Sequence, residues 1–232
     1  MTVESEKAAE FTGLPDVSGL VIGILGGTGD QGRGLALRLS AAGHRVLIGS
    51  RDAARAQHAA NELGGQPLVG GAANAEVAAE ADVVIAAMPY EGHRDVLEAL
   101  NEPLAGKVVI DCVNPMAFDS RGAYAIAVPE GSAAQQAAEV LTGSTVVGAF
   151  HHVSAHLLLD AAVDDLNQDV LVLGDQRAAT DLVIALADEL PGVRGVYAGR
   201  LRNCGQIEAF TANLVSINRR YRGHAGLRVT DI

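Results

Sequence analysis

Six residues, Leu20-Val21-Ile22-Gly23-Ile24-Leu25, run without a break into Gly26-Gly27-Thr28-Gly29-Asp30-Gln31-Gly32. An apolar run of this length ending in a turn signal reads as a buried strand. Gly27, Gly29 and Gly32 then match G-x-G-x-x-G, and residues 34–39 continue as a helix that stops at Gly43. Strand, glycine turn and helix in this order constrain the fold more than any other feature of the chain. Gly27 permits the tight turn, Gly29 removes a side chain where a pyrophosphate must approach the backbone, and Gly32 lets the helix pack close to the strand. The helix N-terminus adds free N–H groups and a partial positive charge. The glycine spacing alone would fit an ordinary turn. At the opening of a first βαβ unit it favours nucleotide binding, with the Thr28 hydroxyl and the Asp30 and Gln31 amides as direct contacts.

A second short strand, from Arg45 to Gly49, ends in Ser50-Arg51, and Arg55 follows four residues later. In such a unit this position inspects the adenosine ribose, where an NAD site offers a carboxylate. Here it offers a hydroxyl and two guanidiniums on one side of a helix turn. A 2′-phosphate wants those donors, so the pattern predicts NADP rather than NAD. The competing reading is a surface arginine beside Asp52. It does not account for the fixed distance from the glycine turn.

The rest of the chain alternates between short apolar runs and helical stretches. A helix over 53–63 closes at Gly64-Gly65, and Asn74 is expected to cap an alanine-rich helix to Ala81. Strands are expected at 83–87, 108–110 and 145–147, with a helix over 132–141. Beyond His151 come a short helix at 155–160, a strand at 170–173, a helix over 178–190, a strand at 193–197 and a final helix from about 203 to 220. The alternation predicts an α/β fold, a Rossmann-type doubly wound parallel sheet. The expected division is an N-terminal extension over 1–19, an NADP-binding domain over 20–150 and a small α/β lobe over 151–232.

In an open α/β sheet the ligand lies outside the carboxyl ends of the strands. Met88-Pro89-Tyr90, Cys112-Val113-Asn114-Pro115 and Phe150-His151-His152-Val153-Ser154-Ala155 should therefore converge on the end of the site opposite the ribose. Each could also be a plain strand-ending turn. His151, His152 and His156 lack the carboxylates or cysteines that would complete a metal site, and hydrogen bonding or proton handling fits them better. No Ser-His-Asp or Cys-His nucleophile signature stands out.

The formal net charge of −11 disfavours nucleic-acid binding. The window from Arg200 to Arg228 runs against that balance, with six arginines and a single acid, Glu208. These arginines could pair with acidic neighbours or meet an anionic ligand tail. Although 49% of residues are hydrophobic, no run approaches a membrane span. Residues 1–10 lack the apolar block of a secretory signal, and two cysteines make no disulfide framework, so a cytoplasmic location is expected.

The segment Gly-Gly-Thr-Gly-Asp-Gln-Gly-Arg-Gly-Leu-Ala-Leu-Arg-Leu at 26–39, followed by Gly-Ser-Arg at 49–51, resembles the coenzyme F420-dependent NADP reductase family. The likeness continues at Met88-Pro89, from Val109-Ile110 through Pro115, and at Phe150-His151 with Ser154-Ala155. It implies hydride transfer between reduced coenzyme F420, a 5-deazaflavin, and NADP in a homodimer. By position, it implies that Gly27, Thr28, Gly29, Asp30, Gln31, Ser50, Arg51 and Arg55 hold NADP. Met88, Pro89, Val113 and Ala155 would frame the nicotinamide, with His152 and Ser154 helping to position the rings. Family members often carry Lys at position 55 and can carry Thr-Ile-Pro where this chain has His152-Val153-Ser154. Two other readings remain open on the residues: an NADPH-dependent reductase of a small imine or keto substrate, and a non-catalytic NADP-sensing module. The first would want a substrate-facing acid–base group and a longer helical tail. The second would not need the converging proline loops.

Overall fold

The computed structural model describes residues 13–64 and 66–232. The first twelve residues of the expected extension, and Gly65, lie outside them. The chain opens with β1 (Val21–Leu25), α1 (Asp30–Ala41), β2 (Arg45–Ser50), α2 (Ala53–Asn61) and β3 (Val69–Ala73). It continues through α3 (Asn74–Glu80), β4 (Val83–Ala86), α4 (His93–Ala99), α5 (Asn101–Leu104) and β5 (Val108–Asp111). A hairpin of β6 (Met116–Asp119) and β7 (Gly122–Ala125) precedes α6 (Ala133–Val140) and β8 (Thr145–Gly148). Last come α7 (Ala155–Leu159), β9 (Gln168–Gly174), α8 (Arg177–Asp188), β10 (Val193–Gly199) and α9 (Cys204–Tyr221).

Eight strands form one sheet in the order β10-β9-β8-β5-β4-β1-β2-β3. The order reverses at β1, where β2 lies on one side and β4 on the other. That reversal opens a crevice at the carboxyl ends of the central strands. All pairings are parallel except β8 with β9. The strands of residues 151–232 thus extend the same sheet: β9 turns back along β8, and β10 pairs parallel to β9.

Apolar cores cover both faces of the sheet. Ile22 and Ile24 of β1 pack with Leu35 and Leu39 of α1 on one face. Leu25 packs with Val77 of α3 and Ala81, just beyond that helix, on the other. The alternation follows the period of two along a strand. Helix α7 is held on α1 by two residues of α1, Gly34 and Arg38. A Cβ at Gly34 would stand 2.5 Å from Cβ of Leu158, so the approach of the two helices requires glycine. Buried Arg38 donates to the carbonyls of Leu157, Leu158, Asp160 and Val163 at 2.7–2.9 Å, satisfying the open C-terminal end of α7.

Three local features depart from the sequence reading. Asn74 does not cap α3; the N-cap is Ala73, without a side-chain bond. Asn74 Oδ1 instead accepts the Gly26 N–H at 3.3 Å and steadies the glycine turn from beneath. Strand β3, helices α4 and α5, and the β6–β7 hairpin were not expected. The arginines of the basic window also divide. Arg228 donates to buried Asp169 at 3.1 Å and Arg200 to the Asp175 carbonyl at 2.8 Å, while Arg202, Arg219, Arg220 and Arg222 are exposed.

Candidate active site

The glycine turn is built around close backbone contacts. Gly26 has φ +64°, and the Gly27 N–H donates to the Gly49 carbonyl at 3.0 Å, joining the turn to the end of β2. A Cβ at Gly32 would meet the Gly27 carbonyl oxygen at 2.7 Å, so helix and turn can touch only without a side chain there. Gly29 is the opposite case. It is the N-cap of α1 with no side-chain cap, and a Cβ built on it meets nothing within 4 Å. The first-turn N–H groups of α1 therefore open onto unfilled space. The Asp30 carboxylate turns aside to Arg33 at 2.8 Å. This geometry is that of an anion cradle.

A cleft of about 390 Å³ runs from that cradle across the strand ends, within the usual size range for cofactor sites. Thr28, Gly29, Asp30, Gln31 and Arg55 line one end. Met88, Pro89, Cys112, Val113, Asn114 and His151 line the other. All three loops expected to converge do so.

At the ribose end, Ser50 closes β2 and its Oγ accepts the Asp52 N–H at 3.2 Å. Asp52 caps α2: its Oδ1 accepts from Ala54 N at 2.9 Å and Arg55 N at 3.4 Å. The one nearby acid is thereby committed to the backbone, and Arg51 and Arg55 stay exposed. Two exposed guanidiniums thus stand beside one capping carboxylate.

The other end carries no charged side chain. Phe150 is buried with φ +62°, a left-handed turn that directs His151 to the cleft. Gln31 Nε2 donates to the Phe150 carbonyl at 3.2 Å, and Asn114 Nδ2 donates to the His151 carbonyl at 2.7 Å. Asn114 Oδ1 and both ring nitrogens of His151 are buried without a partner. Burial pushes His151 down to about 4, so the ring is neutral near pH 7, with one N–H donor and one acceptor. The imidazole lies under the cleft wall, with Cε1, the atom between its two nitrogens, 3.1 Å from where a Cβ at Gly148 would stand. The Cys112 thiol is held protonated by burial and donates to the Ala86 carbonyl at 3.1 Å, so it is no nucleophile.

Three residues expected near the rings do not line the cleft. His152 faces the other way, its Nε2–H donating to the Asp169 carbonyl at 2.8 Å. The Ser154 hydroxyl lies 3.4 Å from His224 Nδ1, and Ala155 opens α7. Among the described residues no group of three or more His, Cys, Asp or Glu is placed to hold a metal ion. Sequence reasoning singled out neither His93 nor Asp111, which are fully buried and bonded to each other behind the ring end. Asp111 left one signal, an acid closing an otherwise apolar strand.

Comparison with known proteins agrees with this geometry. Residues 21–115 match the family model for NADP oxidoreductase, coenzyme F420-dependent. The F420-dependent NADP reductase of Methanothermobacter marburgensis is 41% identical over 221 residues, 91% of this chain and 98% of that one. That of Methanocaldococcus jannaschii is 37% identical over the same shares of each chain. A crystal structure from Arthrobacter sp. FB24, ascribed the same reductase activity, superposes with a TM-score of 0.80 at 27% identity, covering 92% of this chain and all of that one. On the strength of the near full-length likeness and the matching glycine turn, this chain belongs to the F420-dependent NADP reductase family.

Proposed function

We propose that this chain catalyses hydride transfer between reduced coenzyme F420 and NADP. When bound, the two cofactors supply the redox chemistry: a hydride leaves the reduced deazaflavin for the nicotinamide of NADP⁺, giving oxidised F420, NADPH and a proton. The protein's task is to hold two planar rings at about 3–3.5 Å with water excluded. The observation that carries the reading is the asymmetry of one cleft. Its first end is an open anion cradle with two free guanidiniums. Its second end is uncharged and without a nucleophile.

Gly27, Thr28, Gly29, Asp30 and Gln31 hold the pyrophosphate in this reading, through main-chain N–H groups and the Thr28 hydroxyl. Ser50, Arg51 and Arg55 read the 2′-phosphate. Met88, Pro89 and Val113 frame the nicotinamide, with Asn114 and His151 closing the same end. Residues 151–232 complete the deazaflavin side. Large apolar side chains stand exposed on the hairpin and on α9, which pack together: Phe118 and Tyr124, on opposite faces of the hairpin, and Ile217 and Tyr221, with Phe118 68% exposed and Tyr221 77%. Exposed apolar groups of this size on neighbouring elements support a homodimer.

The test is direct. Purified protein is mixed with NADPH and oxidised F420, and the visible absorbance of the deazaflavin is followed. Loss of that absorbance with NADPH, and far slower loss with NADH, is expected. No loss at high enzyme concentration would refute the proposal.

A further inference from the structure

The buried pair His93–Asp111 joins two walls of the cleft. His93 opens α4, directly after the Met88–Gly92 loop, and its main-chain N–H donates to the Tyr90 carbonyl at 3.0 Å. Its ring reaches across to β5, where Nε2 stands 2.7 Å from Asp111 Oδ2. The other carboxylate oxygen, Oδ1, accepts the Val113 N–H at 3.0 Å. Three bonds thus close a circuit from the loop after β4, through the imidazole and the carboxylate, to the loop after β5. Pro89 and Val113, one on each loop, both line the cleft.

The protonation of the ring follows from its partners. Gln136 Nε2 lies 3.3 and 3.4 Å from the two carboxylate oxygens of Glu130, which can only accept, so Gln136 Oε1 is the atom that faces His93. That oxygen stands 3.0 Å from Nδ1. Both imidazole nitrogens therefore meet acceptors, and the ring is an imidazolium. Burial works against the charge, but the Asp111 carboxylate and the two hydrogen bonds outweigh it, and the pKa of His93 is raised. Helix α6, which carries Gln136, is itself anchored: Ala133 N and Ala134 N donate to buried Glu208 at 2.9 and 3.2 Å.

We propose that His93 and Asp111 are a positioning pair for the ring end of the cleft, keeping the Pro89 and Val113 walls at a fixed separation so that a carboxamide-bearing planar ring enters a preformed slot. The proposal rests on the reductase reading, because the ring it serves is the nicotinamide. Neither residue lines the cleft. Their effect on hydride transfer passes through Val113 and Pro89, whose displacement by even 1 Å is enough to spoil the alignment of two rings.

A purely cementing role would weaken the whole protein evenly, whereas positioning acts on one end of the ligand. The decisive measurement compares the dissociation constants of NADPH and of 2′,5′-ADP, which has the adenosine end and no nicotinamide. Asp111→Ala releases the Val113 amide, and His93 can shed its proton, so no buried charge is stranded. In this variant NADPH affinity is expected to fall at least tenfold while 2′,5′-ADP affinity stays within twofold. Asp111→Asn is the conservative control. Its amide oxygen can still accept from Val113 and its NH₂ can donate to a neutral His93, so NADPH binding within threefold of wild type is expected. His93→Gln, which keeps a donor for Asp111, should likewise bind NADPH better than His93→Ala, and this pair decides the matter if Asp111→Ala does not fold. The proposal is overturned if Asp111→Ala binds NADPH like wild type, if it weakens both ligands alike, or if His93→Gln is no better than His93→Ala. A wild-type protein that binds NADPH but does not turn over F420 would defeat the reductase reading and leave these binding ratios to judge the slot.

Discussion

Gly29→Ala separates binding from folding better than any other change in the site. The backbone at Gly29 has φ −80° and ψ 171°, a conformation open to alanine, and the new methyl would meet no atom within 4 Å. The cost to the fold is that of alanine at an N-cap, up to about 1 kcal/mol, partly offset by about 0.4–1 kcal/mol from a less flexible unfolded chain. The melting temperature should therefore move by only a few degrees. The methyl does occupy the mouth of the anion cradle. Losing one charge-assisted N–H contact to pyrophosphate costs roughly 1.5–3 kcal/mol, a factor of about 10 to 150 in Kd. Gly32→Ala should behave differently. Its methyl is driven to 2.7 Å from the Gly27 carbonyl oxygen and 2.8 Å from its carbonyl carbon, so the turn must move. Overpacking of that kind costs about 1–3 kcal/mol of stability, and binding is lost along with it. Fluorescence titration with NADPH and thermal melts on both variants test the contrast. If Gly29→Ala binds NADPH with wild-type affinity, the pyrophosphate does not sit on this turn and the assignment of the cleft fails.

Other expectations follow from the same coordinates. Arg51→Glu should reduce the preference for NADP over NAD by about 1.5–3 kcal/mol, roughly 10- to 150-fold in the ratio of kcat/KM values; an unchanged ratio would remove Arg51 as the phosphate reader. Arg38→Ala removes four hydrogen bonds to carbonyls in and just beyond α7, of which that of Asp160 keeps the Val163 N–H, and should destabilise the fold by about 3 kcal/mol, read as a shift in denaturant midpoint. Asp169 is buried, and the hydrogen bond from Arg194, at 2.7 Å, is the main reason its carboxyl is held down at about 2. Because that value lies below the ordinary 3.8, the pair stabilises the folded state above pH 4, and the contribution disappears as pH falls towards 2. Asp169→Asn should therefore be less stable than wild type by about 2 kcal/mol at pH 7, with the two unfolding curves converging near pH 2.

The elements legible in the sequence are those whose reasons are local. Strand β1, the glycine turn, α1 and β2 follow from apolar runs and three glycines, and Ser132 caps α6 by accepting the Gln135 N–H at 2.9 Å. Strand β3 was not legible, because Val69-Gly70-Gly71-Ala72-Ala73 is poor in strand-forming residues. Its reason is tertiary: α2 passes so close that a Cβ at Gly71 would overlap the Ala56–Gln57 backbone. The β6–β7 hairpin did carry a signal. Asp119 Oδ1 accepts from Arg121 N at 2.7 Å and Gly122 N at 3.2 Å, and Gly122 has φ +128°, which is turn chemistry readable in Asp-Ser-Arg-Gly. The misassigned cap at Asn74 has a comparable lesson. A residue suited to capping was claimed by a more distant amide, that of Gly26, 48 positions earlier.

The two ends of the cleft differ in the same way, with consequences for how each tolerates change. The end proposed to hold the ribose and pyrophosphate is made by short contiguous segments, 26–32 and 50–55, whose donors are main-chain amides and exposed arginines. Substitutions there should alter ligand choice and leave the fold intact. The ring end is assembled from four distant stretches. Asn114 holds the His151 carbonyl, Gln31 holds the Phe150 carbonyl, and His93 with Asp111 holds the Val113 amide. Asn114, Gln31 and Asp111 each satisfy a backbone group and His93 completes Asp111, so all four are tied to stability as well as to geometry. A chain of this kind can change which dinucleotide it accepts by point mutation. Its ring slot can change only by coordinated replacement of residues that are neighbours in space and strangers in sequence.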